Sequence, residues 1–211
     1  MKLSRDEVSK AGNIVWFGHY EQDNNLGNGS EEIEWIVLDA QDGRSLLISK
    51  YGLDAKPYNT PYVSVTWENC TLRNWLNNDF FKTAFTLKEQ SAIITTMVEN
   101  SESQGYSGYS TDDGNNTQDQ IFLLSYHEAF NLYFRNNESR ECVPTDYAVS
   151  QSAYTDNKSG SNGRWWLRSP GLHQSYASHV FDDGAHYCYH VDGISVCVRL
   201  ALWINLESDV F

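Results

Sequence analysis

The strongest constraint on how this chain folds lies in its C-terminal quarter, where two apolar blocks bracket a stretch cut by turn residues at strand spacing. Arg164-Trp165-Trp166-Leu167-Arg168-Ser169-Pro170-Gly171 opens the region, and Val198-Arg199-Leu200-Ala201-Leu202-Trp203-Ile204-Asn205-Leu206 closes it. Gly171, Asp183-Gly184 and Asp192-Gly193 divide the interval into runs that read as several short strands. Four of the six histidines, His173, His179, His186 and His190, fall within 18 residues of this interval, beside Tyr176, Tyr187, Tyr189 and Cys188. The chain has 18 asparagines, yet none lies between Gly163 and Trp203, and no lysine follows Lys158. A run of contact-making side chains between two scaffold blocks has the composition of a recognition surface on a framework.

The rest of the chain reads as a mixture of strands and helices. Ile14-Val15-Trp16-Phe17-Gly18 is a first strand, and 21–30 is a polar Asn/Gly-rich loop. Two apolar runs, 33–39 and 46–50, flank Gln41-Asp42-Gly43 and predict a hairpin. Leu72, Trp75, Leu76 and Phe80 fall at helical spacing and predict an amphipathic helix over 66–81. Thr86-Leu87-Lys88-Glu89 and Ser125-Tyr126-His127-Glu128 are capping-box patterns that open two further helices, the second ending near Phe134. Segments 101–118 and 155–163 read as loops, and 121–124 as a short strand. Strands, then helices, then strands with long loops indicate an α+β fold, not βαβ winding. At 211 residues the expectation is a single domain. It comprises an N-terminal extension (1–11), a scaffold (12–163) and C-terminal strands (164–206).

Composition narrows the function classes. A net charge of −13 with 15 basic residues argues against nucleic-acid partners and against anionic membrane surfaces. Cys70, Cys142, Cys188 and Cys197 are scattered without a CxxC pair, which suits free thiols in a reducing compartment. The charged start Met1-Lys2-Leu3-Ser4-Arg5-Asp6-Glu7 is unlike a signal peptide, so the expected location is cytoplasmic unless another factor carries the chain to a phage or a cell surface.

Catalytic motifs are sparse. There is no GxGxxG, Walker A or GxSxG, and Asn131 replaces the second histidine that His127-Glu128 would need. Asp112-Asp113-Gly114-Asn115-Asn116 and Asp182-Asp183-Gly184 carry oxygen ligands that suit calcium but lack the spacing of a calcium loop, and read first as turns. In a strand His186, Cys188 and His190 share one face. Imidazole, thiolate and imidazole suit zinc or copper. However, three alternate residues of a flat strand span roughly 13 Å, too far for one tetrahedral site. A solvent-facing contact surface and an ordinary strand are the alternatives. Arg168 and Arg199, set in apolar runs, require carboxylate or carbonyl partners.

Several blocks resemble a bacterial family of unknown function found in gut Firmicutes and their prophages. They are 12–20 with Glu34-Trp35-Ile36-Val37-Leu38-Asp39, 46–54, Trp67-Glu68 with Leu72-Arg73-Asn74-Trp75-Leu76, 121–125, Trp165 to Gly171, and Val198-Arg199 with Ala201-Leu202-Trp203-Ile204. Cys197 and Leu200 stand where that family usually has Gly and Pro. The resemblance implies a C-type-lectin-like fold of the formylglycine-generating-enzyme branch, with short twisted antiparallel strands, two or three helices and long loops. It also implies likeness to the variable proteins of diversity-generating retroelements. In those systems a reverse transcriptase that errs at template adenines rewrites a C-terminal segment. Asparagine codons then become codons for Tyr, His, Ser, Asp, Phe, Cys, Gly and others, but not for Trp, Met, Lys, Glu or Gln. Segment 172–198 fits that codon set, with Gln174 the one residue outside it. The expectation is a non-catalytic protein that binds a protein or glycan ligand and has no required cofactor. Its contact residues would be His173, Gln174, Ser175, Tyr176, Ser178, His179, Phe181, His186, Tyr187, Tyr189 and His190, held by Trp165, Trp166, Arg168, Pro170, Gly171 and Arg199. The alternatives are a zinc- or copper-dependent enzyme using His186, Cys188, His190 and Cys197, and an invariant structural domain of a phage or surface assembly.

Overall fold

Eleven short strands form three sheets in the computed structural model, which describes residues 4–156 and 161–211. Residues 1–3 of the N-terminal extension and 157–160 of the loop expected at 155–163 lie outside the described residues. In chain order the strands are β1 (Ile14–Tyr20), β2 (Glu31–Gln41), β3 (Arg44–Ser49), β4 (Asp54–Ala55), β5 (Thr96–Val98) and β6 (Thr117–Asp119). The second half holds β7 (Trp165–Pro170), β8 (Tyr176–Val180), β9 (His186–His190), β10 (Cys197–Val198) and β11 (Ala201–Asn205).

One antiparallel sheet has the order β1-β2-β3-β11. The hairpin between β2 and β3 turns on Asp42 (φ 50°) and Gly43 (φ 72°), and two left-handed residues in succession match the twist of the flanking strands. The second sheet has the order β4-β10-β7-β8-β9, antiparallel except for the parallel pair β10/β7. β5 and β6 make a separate antiparallel ribbon. Helices are short and lie between the strands, so the molecule is α+β with antiparallel sheets and few helices.

The helix expected over 66–81 is present but shifted. A 3-10 turn at Trp67–Asn69 precedes it, and α (Thr71–Trp75), π (Leu76–Phe80) and α (Phe81–Ala84) turns follow without a break. Leu72, Leu76 and Phe80 still face the core, as their spacing requires. Both capping boxes form. The Thr86 hydroxyl accepts from the Glu89 N–H while the Glu89 carboxylate accepts from the Thr86 N–H, and Ser125 and Glu128 repeat the exchange.

The strand expected at 121–124 is a correction. Ile121, Phe122, Leu123 and Leu124 are all buried, but the segment meets β11 only through a bridge at Phe122–Ala201, and the Leu124 carbonyl accepts from the Arg168 N–H. It is a linker between the two sheets. Enclosure on every side gives it the continuous apolar run that mimics a strand in the sequence.

Four tryptophans, Trp35, Trp67, Trp165 and Trp166, anchor the core, each at most 1% exposed. Every indole N–H has an acceptor: the carbonyls of Phe17 (2.7 Å), Arg140 (2.9 Å) and Lys56 (2.9 Å) for Trp35, Trp165 and Trp166, and the Asp119 carboxylate (3.0 Å) for Trp67. Large apolar area is thus buried without an orphaned donor. No helix among the described residues is long and apolar enough to cross a membrane.

Candidate recognition surface

The buried arginines of the C-terminal region fix the frame. Arg168 forms a two-pronged pair with Glu128, Nη2 donating to Oε1 at 3.0 Å and Nη1 to Oε2, and donates further to the Glu99 and Leu123 carbonyls and to Asn100 Oδ1. Among the described residues no carboxylate pairs with Arg199. It donates to the carbonyls of Ser49 (3.1 Å) and Arg140 (3.1 Å), with its guanidinium 4.9 Å from the Trp165 ring. Burial pushes the Arg199 pKa below its ordinary value. Trp165, Trp166, Pro170 and Gly171 are buried as well, so all six expected scaffold residues lie inside.

β8 and β9 form the outer hairpin of the second sheet, with Tyr176 opposite His190, Ser178 opposite Cys188 and Val180 opposite His186. Alternation puts these pairs on one face and the pairs Ala177/Tyr189 and His179/Tyr187 on the other. The first face is roofed at one end. The His186 ring lies 4.7 Å from Tyr126, 4.9 Å from Tyr106, 5.7 Å from Phe130 and 5.8 Å from Tyr109. The Ser178 hydroxyl donates to the Pro170 carbonyl (2.8 Å), so its single proton is spent. His186 Nε2, 3.1 Å away, must therefore carry the proton and donate to the Ser178 oxygen. Burial drives the His186 pKa down to about 4.

On the second face His179 is 2% exposed and lies at 6.1–6.3 Å from the rings of Trp166, Phe181, Tyr187 and Tyr189. Among the described residues neither of its ring nitrogens finds a hydrogen-bond partner. Burial, then the nearby Arg164 and His186, lowers its pKa to about 3. Tyr187, 52% exposed, is the outermost ring of this face.

Of the eleven expected contact residues, His173, Tyr187 and His190 are exposed, while Gln174, Ser175, Tyr176, Phe181, His186 and Tyr189 are half-buried. Ser178 and His179 are corrections. Both are buried, the first by its bond to Pro170 and the second by its aromatic collar, so they support the surface from within. The alternative ligand set points to separate surroundings. His186 is turned into the ring cluster, Cys188 Sγ accepts from the Tyr109 hydroxyl at 3.7 Å, and the His190 ring stacks on Tyr189 at 4.8 Å. Cys197 lies three strands from β9 in the sheet order, on the order of 14 Å away. Among the described residues the only group of three ligand atoms within 4.8 Å of one another is Glu21, Asp23 and Glu31, whose oxygens accept from Gln22, Asp23, Asn25 and Asn28. The two Asp-Asp-Gly segments are turns: Asp112 Oδ1 accepts from the Gly114 N–H, and Asp183 Oδ1 from the Ala185 N–H. All four cysteines are free thiols.

Residues outside 172–198 complete the surface. Gln174 Oε1 accepts from the Asp112 N–H and its Nε2 donates to the Val65 and Asp112 carbonyls, while the Thr111 hydroxyl donates to the Gly171 carbonyl. The Tyr62 ring, itself exposed, lies 5.8 Å from His190. The sequence signal for these is thin: aromatic residues set in otherwise polar loop segments.

The family model described as "Domain of unknown function (DUF6273)" matches residues 42–206. The chain belongs to this family. No curated protein and no solved structure matches it. The DUF6273 segment starts at the β2–β3 turn and ends just past β11, so it takes in the whole second sheet and every residue of the surface. The motifs at 12–20 and 34–39 lie before it.

Proposed function

We propose that this DUF6273 chain is a ligand-binding display protein, the variable target of a bacterial or prophage diversity-generating retroelement. It holds a protein or glycan on the surface built by 172–198 and performs no chemistry there. The observation that carries this reading is the sorting of side chains in the C-terminal region: the framework set is buried, while His173, Tyr187 and His190 project. Large amphipathic rings with few rotors, held on a packed sheet, lose little entropy on binding. A C-type-lectin-like framework is part of the proposal. It is supported by β11 closing onto the N-terminal hairpin, so that the second sheet and its loops project from a closed base.

The test is to sequence the DNA encoding this segment, with its flanks, in many sister isolates. The reading expects substitutions concentrated at His173, Ser175, Tyr176, Tyr187, Tyr189 and His190, at adenines of a nearby template copy beside a reverse transcriptase. A segment invariant across isolates and lacking a template would overturn it.

A further inference from the structure

A cavity of about 300 Å³, lined by none of the residues of segment 172–198, lies between the start of β3, the ribbon strand β5, β11 and the helical turn Glu128–Leu132. That volume is at the small end for ligand pockets. Its walls include Trp203, together with Met97 and Leu132, which are 59% and 58% exposed. The Arg44 guanidinium lies 4.5 Å from the centre of the Trp203 ring. Its Nε is shielded from solvent and has no acceptor, and among the described residues the Arg44 side chain forms no ion pair and no hydrogen bond. The two carboxylates on the same walls are engaged elsewhere: Glu128 by Arg168 and the Ser125 N–H, and exposed Glu99 by the Ser101 hydroxyl. A partly desolvated guanidinium that rests on a ring but has no hydrogen-bond acceptor is an unmet demand for an anion, and its planar fork matches a carboxylate.

We infer that this cavity binds a small organic acid, with its carboxylate on Arg44 beside the His127 imidazole and its apolar body along Met97, Leu132 and Trp203. The net charge of −13 opposes an anion at long range. Beyond roughly 8 Å that field is screened at physiological salt, so the local guanidinium decides.

The test titrates the full chain with 3-phenylpropionate and with its neutral analogue 3-phenylpropanamide, read by calorimetry and ligand-observed NMR. The acid should bind saturably, and the amide about tenfold or more weaker. Arg44→Gln should weaken the acid by a similar factor and leave the amide unchanged. Leu132→Glu, at an exposed position that does not threaten folding, should weaken the acid through repulsion at the rim. Tyr187→Ala should change neither, which keeps this site distinct from the recognition surface. Equal binding of acid and amide, unchanged acid affinity in both cavity variants, or no saturable binding of the acid would overturn the inference.

Discussion

At the scale of single residues, burial and not chemical type separates frame from surface. Trp166 and Tyr187 are both aromatic and lie on strands of the same sheet, separated by β8, yet one is fully enclosed and the other projects. Trp166→Ala should destabilise the fold by about 3–5 kcal/mol, and Tyr187→Ala by less than about 0.5 kcal/mol, measured by urea unfolding. Comparable losses in the two variants would place Tyr187 in the core. His179 gives a prediction in pH. Its folded pKa, about 3, lies below the ordinary 6.5, so the native state binds fewer protons than the unfolded chain. The stability this confers is complete above about pH 6.5 and is lost as the pH falls towards 3. His186, at about 4, acts in the same sense. Asp113, raised to about 6 by burial and by its neighbours Glu102 and Asp112, acts in the opposite sense between its ordinary 3.8 and 6. A single-site comparison isolates the histidine. His179→Leu should flatten the acid limb of stability against pH. It should also match or exceed the parent near pH 7, because two unpartnered nitrogens leave the core. An unchanged acid limb would show that His179 titrates alike in the folded and unfolded chain.

At the scale of elements, two left-handed glycines in hairpin connections carry different loads. Gly43 (φ 72°) turns the β2–β3 hairpin, and a Cβ there would meet nothing. Gly184 (φ 75°) turns β8 into β9, but a Cβ there would overlap the Asn137 backbone, and its carbonyl accepts from Arg140 Nε at 2.9 Å. Gly43→Ala should therefore lower stability by about 1 kcal/mol, from backbone conformation alone. Gly184→Ala should lower it by clearly more, because the helix Asn137–Arg140 must also move; equal shifts in the urea midpoint would contradict this. The contrast also marks how far the sequence was legible. Asp42-Gly43, Asp183-Gly184, both capping boxes and the C-terminal strands follow from local spacing, because turns and caps are satisfied within a few residues. What sits across from them is not local. Nothing near Gly184 in the chain announces Asn137, and nothing near His186 announces Tyr106 or Tyr126 from the distant loop and helix that roof it. The same limit explains Ser178 and His179: their residue types suit a contact surface, but a third strand and a ring of aromatics enclose them.

At the scale of the molecule, charge and topology set the behaviour. Four side-chain ion pairs are found among the described residues, three of them with a partly exposed lysine or arginine, against a net charge of −13. Exposed pairs contribute about 0–1 kcal/mol each, so self-repulsion outweighs them. Raising NaCl from about 20 to 200 mM should shift the urea midpoint upward, as the Debye length shrinks; a downward shift would mean that attractive pairs dominate. The pairing of β3 with β11 has a consequence in time. The Ser49 N–H bonds to the Leu200 carbonyl, and the Arg199 guanidinium reaches back to the Ser49 carbonyl. During synthesis, the early hairpin therefore waits with an open edge while some 150 intervening residues emerge, and contacts this remote in sequence close slowly. Until β11 arrives, the first sheet lacks its fourth strand, so its edge closes only after all five strands of the second sheet have been synthesised.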